Sequence, residues 1–475
     1  MDMRDMTTAP IKSVENITGD SSMKTIDVKS FIDQRPLKPF HAILFMLMFL
    51  TIVLDGLDTS AMGLIAPTLM KQWGVTKSDL APVLSAALVG IGIGAIFGAP
   101  LADRIGRRVV LVTSVAFFGV FSIAAGCSTN VTELMWSRLL TGVGLGAAIP
   151  LCATLVNEFL PSRMRSRAVN FMLFGFAVGG GITGPLAKSV IPTHGWEGYL
   201  IVGGIAPIVV AVLLAFFLPE SVRYLAAAGK GQDKIVKALK RIDPTADFTD
   251  TTFVAEVSAA VQKRKFPVSE LFSARLRWPT MLLWVAYICS TITLYVLSMW
   301  LPTILQGDGR TLAQTANTMM WFNWCSGAAI LLAGVLMDKF GPVRVISAYF
   351  AISMSMALLV SISGAHGDAL LTLLVIAAMT NNGACSSMST LATQMYPTSS
   401  RATGAAWVLG VGRFGGIAGT FLGPVMIGLG WPLTTIVAWI ALPAVIASVS
   451  IFCIGFRIPA LRRGYVGLPS GEAVH

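Results

Sequence analysis

The feature of this sequence that most constrains its fold is a series of twelve long apolar segments. A membrane-spanning helix needs about 20 mostly apolar residues, and each segment is long enough. We number them spans 1 to 12 in chain order, at 40–70, 80–101, 108–128, 133–157, 166–191, 198–218, 277–303, 313–338, 342–364, 369–392, 402–427 and 432–456. The sequence therefore predicts an all-α membrane protein with twelve transmembrane helices.

The composition supports a bilayer environment. Only 12% of the residues are charged and 55% are hydrophobic, whereas soluble domains carry about 25% charged residues. No phosphate-binding lysine loop, GxSxG or HExxH pattern occurs, so we predict no enzyme activity. The six cysteines lie in or at the ends of apolar spans without metal-ligand spacing, and none of the four histidines is placed as a proton shuttle. We therefore expect no metal and no cofactor other than a proton gradient.

The net charge of +11 is distributed in a way that predicts topology. Of the 35 Lys and Arg residues, 29 fall in the two terminal tails and in the loops that follow even-numbered spans. Four fall in the opposite loops, and Arg138 and Arg413 lie inside spans. Because cytoplasmic loops are enriched in Lys and Arg, we predict a multi-pass protein of the bacterial inner membrane with both termini cytoplasmic. The basic balance is thus explained without nucleic acid.

Two related six-helix halves are indicated by matches at an offset of 235–236 residues. Asp103-x-x-Gly106 matches Asp338-x-x-Gly341, and Gly179-Gly180 matches Gly415-Gly416. We divide the chain into a cytoplasmic N-terminal tail at 1–39, a first half at 40–218, a central loop at 219–276, a second half at 277–456 and a C-terminal tail at 457–475. In the central loop, Ile235–Ile242 and Phe253–Lys265 are amphipathic, which favours short surface helices or a flexible linker.

A glycine- and arginine-rich turn follows span 2. It reads Gly-Ala-Pro-Leu-Ala-Asp-Arg-Ile-Gly-Arg-Arg over residues 98–108 and resembles the signature loop of the major facilitator superfamily. The resemblance implies two pseudo-symmetric six-helix bundles. Gly98 permits close helix approach, and Asp103 can meet a helix N-terminus and nearby cations; the alternative is a basic loop that only sets topology. We expect gating or conformational roles for Gly98, Asp103, Arg104, Gly106, Arg107, Arg108, Glu158, Arg165, Asp338 and Arg401.

Span 1 carries two carboxylates on one helical face, since Asp55 and Asp58 are separated by one turn. Their natural partner is Arg138 in span 4, because Asp58 and Arg138 both lie roughly 12–13 Å from the outer ends of their helices. Two carboxylates close together titrate as a coupled pair, so this group can load a proton and release or recapture the arginine. The alternatives are a static ion-pair brace and an arginine that extends outward to the lipid headgroups.

Arg413 in span 11 lies about 18 Å from Arg401 at the cytoplasmic end, near the membrane midplane. A buried guanidinium can hold a carboxylate through two parallel hydrogen bonds, which makes Arg413 a candidate receptor for an anionic substrate. Pairing with backbone carbonyls or with a span 1 aspartate is the alternative.

Five segments together resemble the aromatic acid:proton symporter family, namely Asp55-Gly-x-Asp58, Pro219-Glu-Ser-Val-Arg-Tyr-Leu225, Trp300-Leu-Pro-Thr, Tyr396-Pro-Thr-x-x-Arg401-x-x-Gly404 and Gly412-Arg413. The resemblance covers about 40–456. It implies transport of hydroxybenzoates and related ring acids or, in some members, of dicarboxylates such as muconate. It also implies that Asp55, Asp58 and Arg138 couple the proton and that Arg413 contacts the substrate.

Further substrate-binding candidates are polar or aromatic residues in the spans of the second half, namely Tyr295, Asn323, Trp324, Asn381, Asn382 and Trp407. Buried amides need hydrogen-bond partners, and aromatic rings can stack on a ring acid. Helix packing and interfacial belts also use Trp and Tyr. The amides depart from the pattern that the resemblance leads us to expect, so they bear on which acid is carried.

We therefore expect a proton-coupled symporter that imports an aromatic carboxylate by alternating access, in a monomer whose partners are the acid, protons and the bilayer. One alternative is a carrier of a non-aromatic organic acid such as muconate. Another is a membrane sensor of such acids. Export rather than import is also compatible with the same residues.

Overall fold

The structure is a computed structural model that describes residues 24–227, 232–242, 251–254, 268–363, 367–396 and 400–462. Long helices occupy every predicted span. In chain order they run Pro39–Trp73, Lys77–Ile105, Arg107–Gly126, Val131–Phe159, Ser162–Phe217, Arg277–Gly307, Leu312–Phe340, Pro342–Ser363, Gly367–Met395, Arg401–Gly428 and Leu433–Arg457. Most are several residues longer than predicted, because amphipathic turns extend beyond the apolar stretches from which the spans were defined.

Spans 5 and 6 lie in one helical stretch, Ser162–Phe217, which is divided into two helices at Gly195, a residue with non-helical backbone angles. The described residues therefore contain eleven helices long and apolar enough to cross a membrane, one of them with a stretch of 51 residues, which at 1.5 Å per residue crosses a core of about 30 Å twice. Gly195 has φ 69° and ψ −176°, a conformation that glycine adopts without steric cost. Next to Gly195, Trp196 donates to Gln72 at 2.9 Å. The prediction of twelve spans is confirmed.

Short elements surround the ends of the long helices. Helices run Val28–Asp33, Val222–Ala227, Gln232–Ile242 and Val268–Leu271, and a 3₁₀ turn runs Pro459–Arg462. The predicted surface helix at Ile235–Ile242 is present. Phe253, predicted in a surface helix or linker, lies instead in a strand, Thr251–Val254, that pairs in parallel with Lys24–Asp27. Its β-branched neighbours favour extended backbone. Residues 255–265 of that predicted segment lie outside the described residues.

The two halves share one hydrophobic core at one end of the molecule and have separate cores at the other. We call the end that carries the termini and the central loop the terminal face, and the other end the opposite face. Near the opposite face, Leu64 and Leu84 belong to the same buried cluster as Met299 and Met319 of the second half. Toward the terminal face the first half has its own core and so does the second. The hydrophobic contact between the two halves is therefore concentrated near the opposite face.

Within the first half, spans 2 and 4 pack with their backbones in contact. A Cβ added at Gly142 would lie 2.2 Å from the carbonyl oxygen of Ala87, and one added at Gly146 would lie 2.2 Å from that of Ile91. Real Cβ atoms do not approach so closely, so only glycine permits this packing, as small residues do between membrane helices. The packing holds span 4, and with it Arg138, in a fixed position beside span 1.

Candidate functional site

The centre of the candidate site is a buried ion pair between spans 1 and 4. Arg138 donates from Nη1 to Asp58 Oδ1 at 2.7 Å and from Nη2 to Asp58 Oδ2 at 2.8 Å. The two side chains are 2% and 4% exposed. The Nε of Arg138 is buried without a hydrogen-bond partner among the described residues. The structure thus brings together Asp58 and Arg138, which were predicted to be partners because they lie at the same depth in the membrane.

Asp55 lies one turn from Asp58 and is also buried, at 5% exposed. Its only described hydrogen bond is a long one, 3.5 Å from the hydroxyl of Thr59. It lies within electrostatic range of Asp58, of Arg138 and of Arg413 in the second half. Asp55 is therefore a buried carboxyl group with one long hydrogen bond, close to one other carboxylate and to two cations.

Arg413 extends from span 11 toward this group. It is half-buried and makes no ion pair with any described residue. Tyr295 of span 7 lies beside it, within range of a side-chain hydrogen bond. The ring of Tyr287 fills the space at Gly412, where an added Cβ would lie 2.1 Å from the ring. Two tyrosines of span 7 therefore border a guanidinium that has no carboxylate partner among the described residues.

The three amide candidates differ in how far their hydrogen-bonding groups are used. Asn381 is buried and both its amide nitrogen and its amide oxygen have partners, since it donates to the carbonyl of Ser290 at 3.2 Å and accepts from the hydroxyl of Ser290 at 3.4 Å. Asn382 donates to the hydroxyl of Ser326 at 2.8 Å, but its Oδ1 is buried without a partner among the described residues. Asn381 therefore ties span 10 to span 7, whereas Asn382 keeps an unused acceptor.

Asn323 lies at the seam between the halves. Its amide nitrogen donates to the carbonyl of Met319 at 2.8 Å. Its Oδ1 is 2.4 Å from the position of a Cβ added at Gly180, and the hydroxyl of Ser60 is 2.9 Å from the same position. Asn323 of span 8 thus reaches spans 5 and 1, close to the turn of span 1 that carries Asp58.

The aromatic candidates occupy different surroundings. Trp324 is 40% exposed and packs its indole against Gly181 of span 5. Trp407 is 42% exposed and stacks on Trp284, with ring centroids 5.6 Å apart. No described hydrogen bond joins either ring to the Asp58–Arg138 pair. Trp300 is fully buried and donates to the carbonyl of Thr420 at 2.8 Å, where it packs span 7 against span 11.

A second charge network lies at the terminal face, around the turn between spans 2 and 3. Arg107 forms an ion pair with the buried Glu158 of span 4, and the hydroxyl of Ser221 donates to the same carboxylate at 2.6 Å. Glu220 accepts the backbone N–H groups of Arg107 and Arg108 at 2.9 and 3.0 Å. A carboxylate at a helix N-terminus satisfies unpaired donors and opposes the helix dipole. Glu220 therefore caps span 3.

Gly106 is required at the start of this network. It has φ 113°, and an added Cβ would lie 2.4 Å from Glu220 Oε2. Gly98 packs against Ala147 of span 4, whose Cβ would be 2.5 Å from an added one. Asp103, by contrast, has a side chain 71% exposed, and among the described residues it forms an ion pair only with Arg107, at 3.6 Å. The described contacts of the signature turn thus lie within the first half.

The remaining candidates for gating are placed as follows. Arg104 is exposed, and its carbonyl accepts from Tyr224 at 3.0 Å. Arg108 donates to the carbonyl of Ala215. Arg165 donates to Asp33 of the helix before span 1 at 3.3 Å. Asp338 is exposed and forms no ion pair within the described ranges. Span 11 begins at Arg401, whose side chain lies outside the described residues.

Comparison with known proteins agrees with this architecture. The sequence profile of the Major Facilitator Superfamily matches residues 48–316 and 283–470. The chain is 40% identical over 434 residues to the 4-hydroxybenzoate transporter PcaK of Pseudomonas aeruginosa, covering 91% of this chain and 97% of that one. It is 37% identical to a gallate transporter of Pseudomonas putida, covering 90% and 95%.

Among solved structures, the fold matches the inward open conformation of the xylose transporter XylE from E. coli with a TM-score of 0.68. That alignment has 18% sequence identity and covers 91% of this chain and 98% of XylE. The chain therefore belongs to the Major Facilitator Superfamily and, within it, to the aromatic acid:proton symporter family that its motifs predicted.

Proposed function

We propose that this protein is a proton-coupled symporter that imports an aromatic carboxylate by alternating access. The observation that carries the proposal is the arrangement of charges where the two halves meet. The ion pair Asp58–Arg138 and the nearby carboxyl group of Asp55 lie close to Arg413 of the other half, which forms no ion pair with any described residue. The first half supplies a protonatable group and the second supplies a receptor for an anion. The named substrates of the relatives, 4-hydroxybenzoate and gallate, are ring acids of this type.

In this mechanism Arg413 and Tyr295 receive the substrate carboxylate, and the Asp55–Asp58 pair accepts the proton. Loading either aspartate weakens its attraction to Arg138, so that the arginine can change partners as the halves rock. Deprotonation toward the terminal face restores the Asp58–Arg138 pair. Because binding the acid and binding the proton both alter the charges at one seam, each can bias the same rocking motion.

The terminal face is the cytoplasmic side in this proposal, as the distribution of Lys and Arg indicates. A monoanion that enters against an inside-negative potential is opposed by about 2.3 kcal/mol per 100 mV. One proton that moves with it removes this electrical cost, and a second would let the potential drive uptake. The gradient of protons therefore serves as the energy source, without a bound cofactor.

The decisive experiment measures uptake of labelled 4-hydroxybenzoate by proteoliposomes under an imposed pH gradient, with and without a protonophore. Accumulation that the protonophore abolishes supports proton-coupled transport. A competition panel of hydroxylated benzoates, benzoate and muconate then identifies the class of acid. Preferential competition by muconate would overturn the aromatic assignment. Saturable binding without any accumulation would instead indicate a sensor.

A further inference from the structure

A basic cavity lies at the terminal face on the outside of the first half. It encloses about 330 Å³ between the start of span 3, the end of span 6 and the surface helix Gln232–Ile242. Arg108, Lys237 and Arg241 line it, together with Glu220 and the apolar side chains of Leu218 and Leu225. The cavity is separate from the seam that holds Asp55, Asp58 and Arg413.

No described carboxylate forms an ion pair with the three cations of the cavity, Arg108, Lys237 and Arg241. Arg241 donates to the carbonyl of Phe217 at 3.0 Å, and Arg108 to that of Ala215, which aligns both guanidinium groups at the end of span 6. Glu220 is occupied by the N-terminus of span 3 and by the N–H of Ser221.

The position of the cavity relates it to the bilayer surface. The surface helix buries Ile235 and Leu239 in the core of the first half and leaves Lys237 and Arg241 exposed. Directly beside the cavity, Phe216 and Phe217 at the end of span 6 are 72% and 49% exposed. Exposed aromatic side chains next to a cluster of cations match the two chemical parts of an anionic lipid, its acyl chains and its headgroup phosphate.

We propose that this cavity binds the phosphate of an anionic phospholipid, such as phosphatidylglycerol, with the acyl chains against Phe216 and Phe217. Guanidinium groups hold phosphate oxygens through paired hydrogen bonds, and a lysine adds a mobile positive charge. Cationic pockets between helices at the cytoplasmic membrane surface are suited to such headgroups. Because Arg108 follows Arg107 directly, a lipid bound here also contacts the network of Arg107, Glu158 and Glu220 at the signature turn.

The test compares the thermal stability of the purified protein in detergent with added phosphatidylglycerol, phosphatidylcholine or inorganic phosphate. Phosphatidylglycerol should raise the melting temperature of the wild type more than phosphatidylcholine does. In Lys237→Gln that extra increment should fall by about half or more, because the phosphate site loses one of its three cations. The stability of this variant without lipid should stay near that of the wild type, because an exposed lysine contributes little to the stability of the fold. The increment should also shrink as the salt concentration rises.

The matched control is a double variant of the second half, Lys339→Gln with Arg344→Gln, which removes two exposed cations at the terminal face. This control should keep the whole phosphatidylglycerol increment. An unchanged increment in Lys237→Gln would overturn the site. If inorganic phosphate raised the melting temperature as much as phosphatidylglycerol does, the cavity would be a site for free phosphate, and the proposal of a lipid site would be wrong. Arg241→Gln serves as a second variant, and its stability without lipid separates loss of the Phe217 hydrogen bond from loss of lipid binding.

Discussion

Arg138 and Asp58 hold each other through two hydrogen bonds of 2.7 and 2.8 Å while both side chains are almost completely buried. Charge-assisted pairs of this geometry are strong, and removing one partner of a buried pair leaves an uncompensated charge that costs about 3–5 kcal/mol. The pair therefore locks span 1 to span 4 whenever Asp58 is ionised. In the proposed mechanism, binding of a proton to Asp58 releases Arg138.

The first prediction concerns Asp58→Asn. This variant keeps a hydrogen-bond acceptor for Arg138 but cannot be deprotonated, so accumulation driven by a pH gradient should be lost. A gradient of one pH unit is worth about 1.4 kcal/mol, or about tenfold accumulation per proton, and the variant should show none of it. Uptake is measured in proteoliposomes, and Asp368→Asn, an exposed carboxylate at the start of span 10, is the control. Accumulation at the wild-type level would remove Asp58 from the proton pathway.

The second prediction concerns Arg413. Truncation of one partner of a buried charge pair with the substrate should cost about 2 kcal/mol or more, so Arg413→Ala should raise KM for the acid roughly 30-fold. Arg413→Lys keeps the charge but loses the forked geometry, so its KM should lie between that of the wild type and that of Arg413→Ala. The exposed Arg457→Ala at the end of span 12 is the control. An unaltered KM in Arg413→Ala would exclude this residue as the carboxylate receptor.

The third prediction uses the unpaired acceptor of Asn382. Its amide nitrogen is fixed on Ser326, which leaves Oδ1 able to accept from a ring hydroxyl. Losing such a bond costs about 1–3 kcal/mol, so Asn382→Leu should lower the preference for 4-hydroxybenzoate over benzoate by about tenfold. Competition for uptake measures the ratio, with the exposed Asn317→Leu in span 8 as the control. If the ratio is the same in both variants, Asn382 does not select for the hydroxyl.

The fourth prediction tests membrane orientation. Cys127 ends span 3 at the opposite face and is exposed, whereas the other five cysteines are buried or half-buried. If the terminal face is cytoplasmic, a membrane-impermeant maleimide should label Cys127 in intact spheroplasts, and Cys127→Ser should abolish that labelling. Labelling of Cys127 only in inverted membrane vesicles would reverse the proposed topology, since the thiol would then face the cytoplasm.

The span pattern and the central ion pair were accessible from sequence for the same physical reason. A bilayer fixes the length and the depth of each helix, so counting residues from a span end gives a depth at which Asp58 and Arg138 coincide. The same count placed Arg413 near the midplane. Counting residues does not give the rotation of a helix about its axis. It therefore does not distinguish Asn381, whose amide nitrogen and oxygen both have partners, from Asn382, whose Oδ1 has none among the described residues.

Contacts between distant segments were also beyond the sequence. The segment Pro219–Leu225 was noticed only as part of a family resemblance, although Glu220 caps a helix that begins 113 residues earlier, at Arg107. Nothing local to Glu220 indicates such a partner. The ring stacking of Trp407 on Trp284 depends likewise on how span 11 rotates against span 7. One signal could have suggested that Glu220 caps span 3. An acidic residue follows span 6 closely, and the helix that starts in the signature turn needs acceptors for its first N–H groups.

The contact of spans 2 and 4 through Gly142 and Gly146 has a consequence for how the protein moves. Helices whose backbones touch cannot slide past each other without steric collision. In the proposed mechanism the first half therefore moves as a rigid body. Elastic deformation must then concentrate where the halves meet, at side chains such as Asn323 against Gly180. Turnover rate and substrate choice can therefore evolve at separate places, the former by resizing these seam residues and the latter by altering the polar groups beside Arg413.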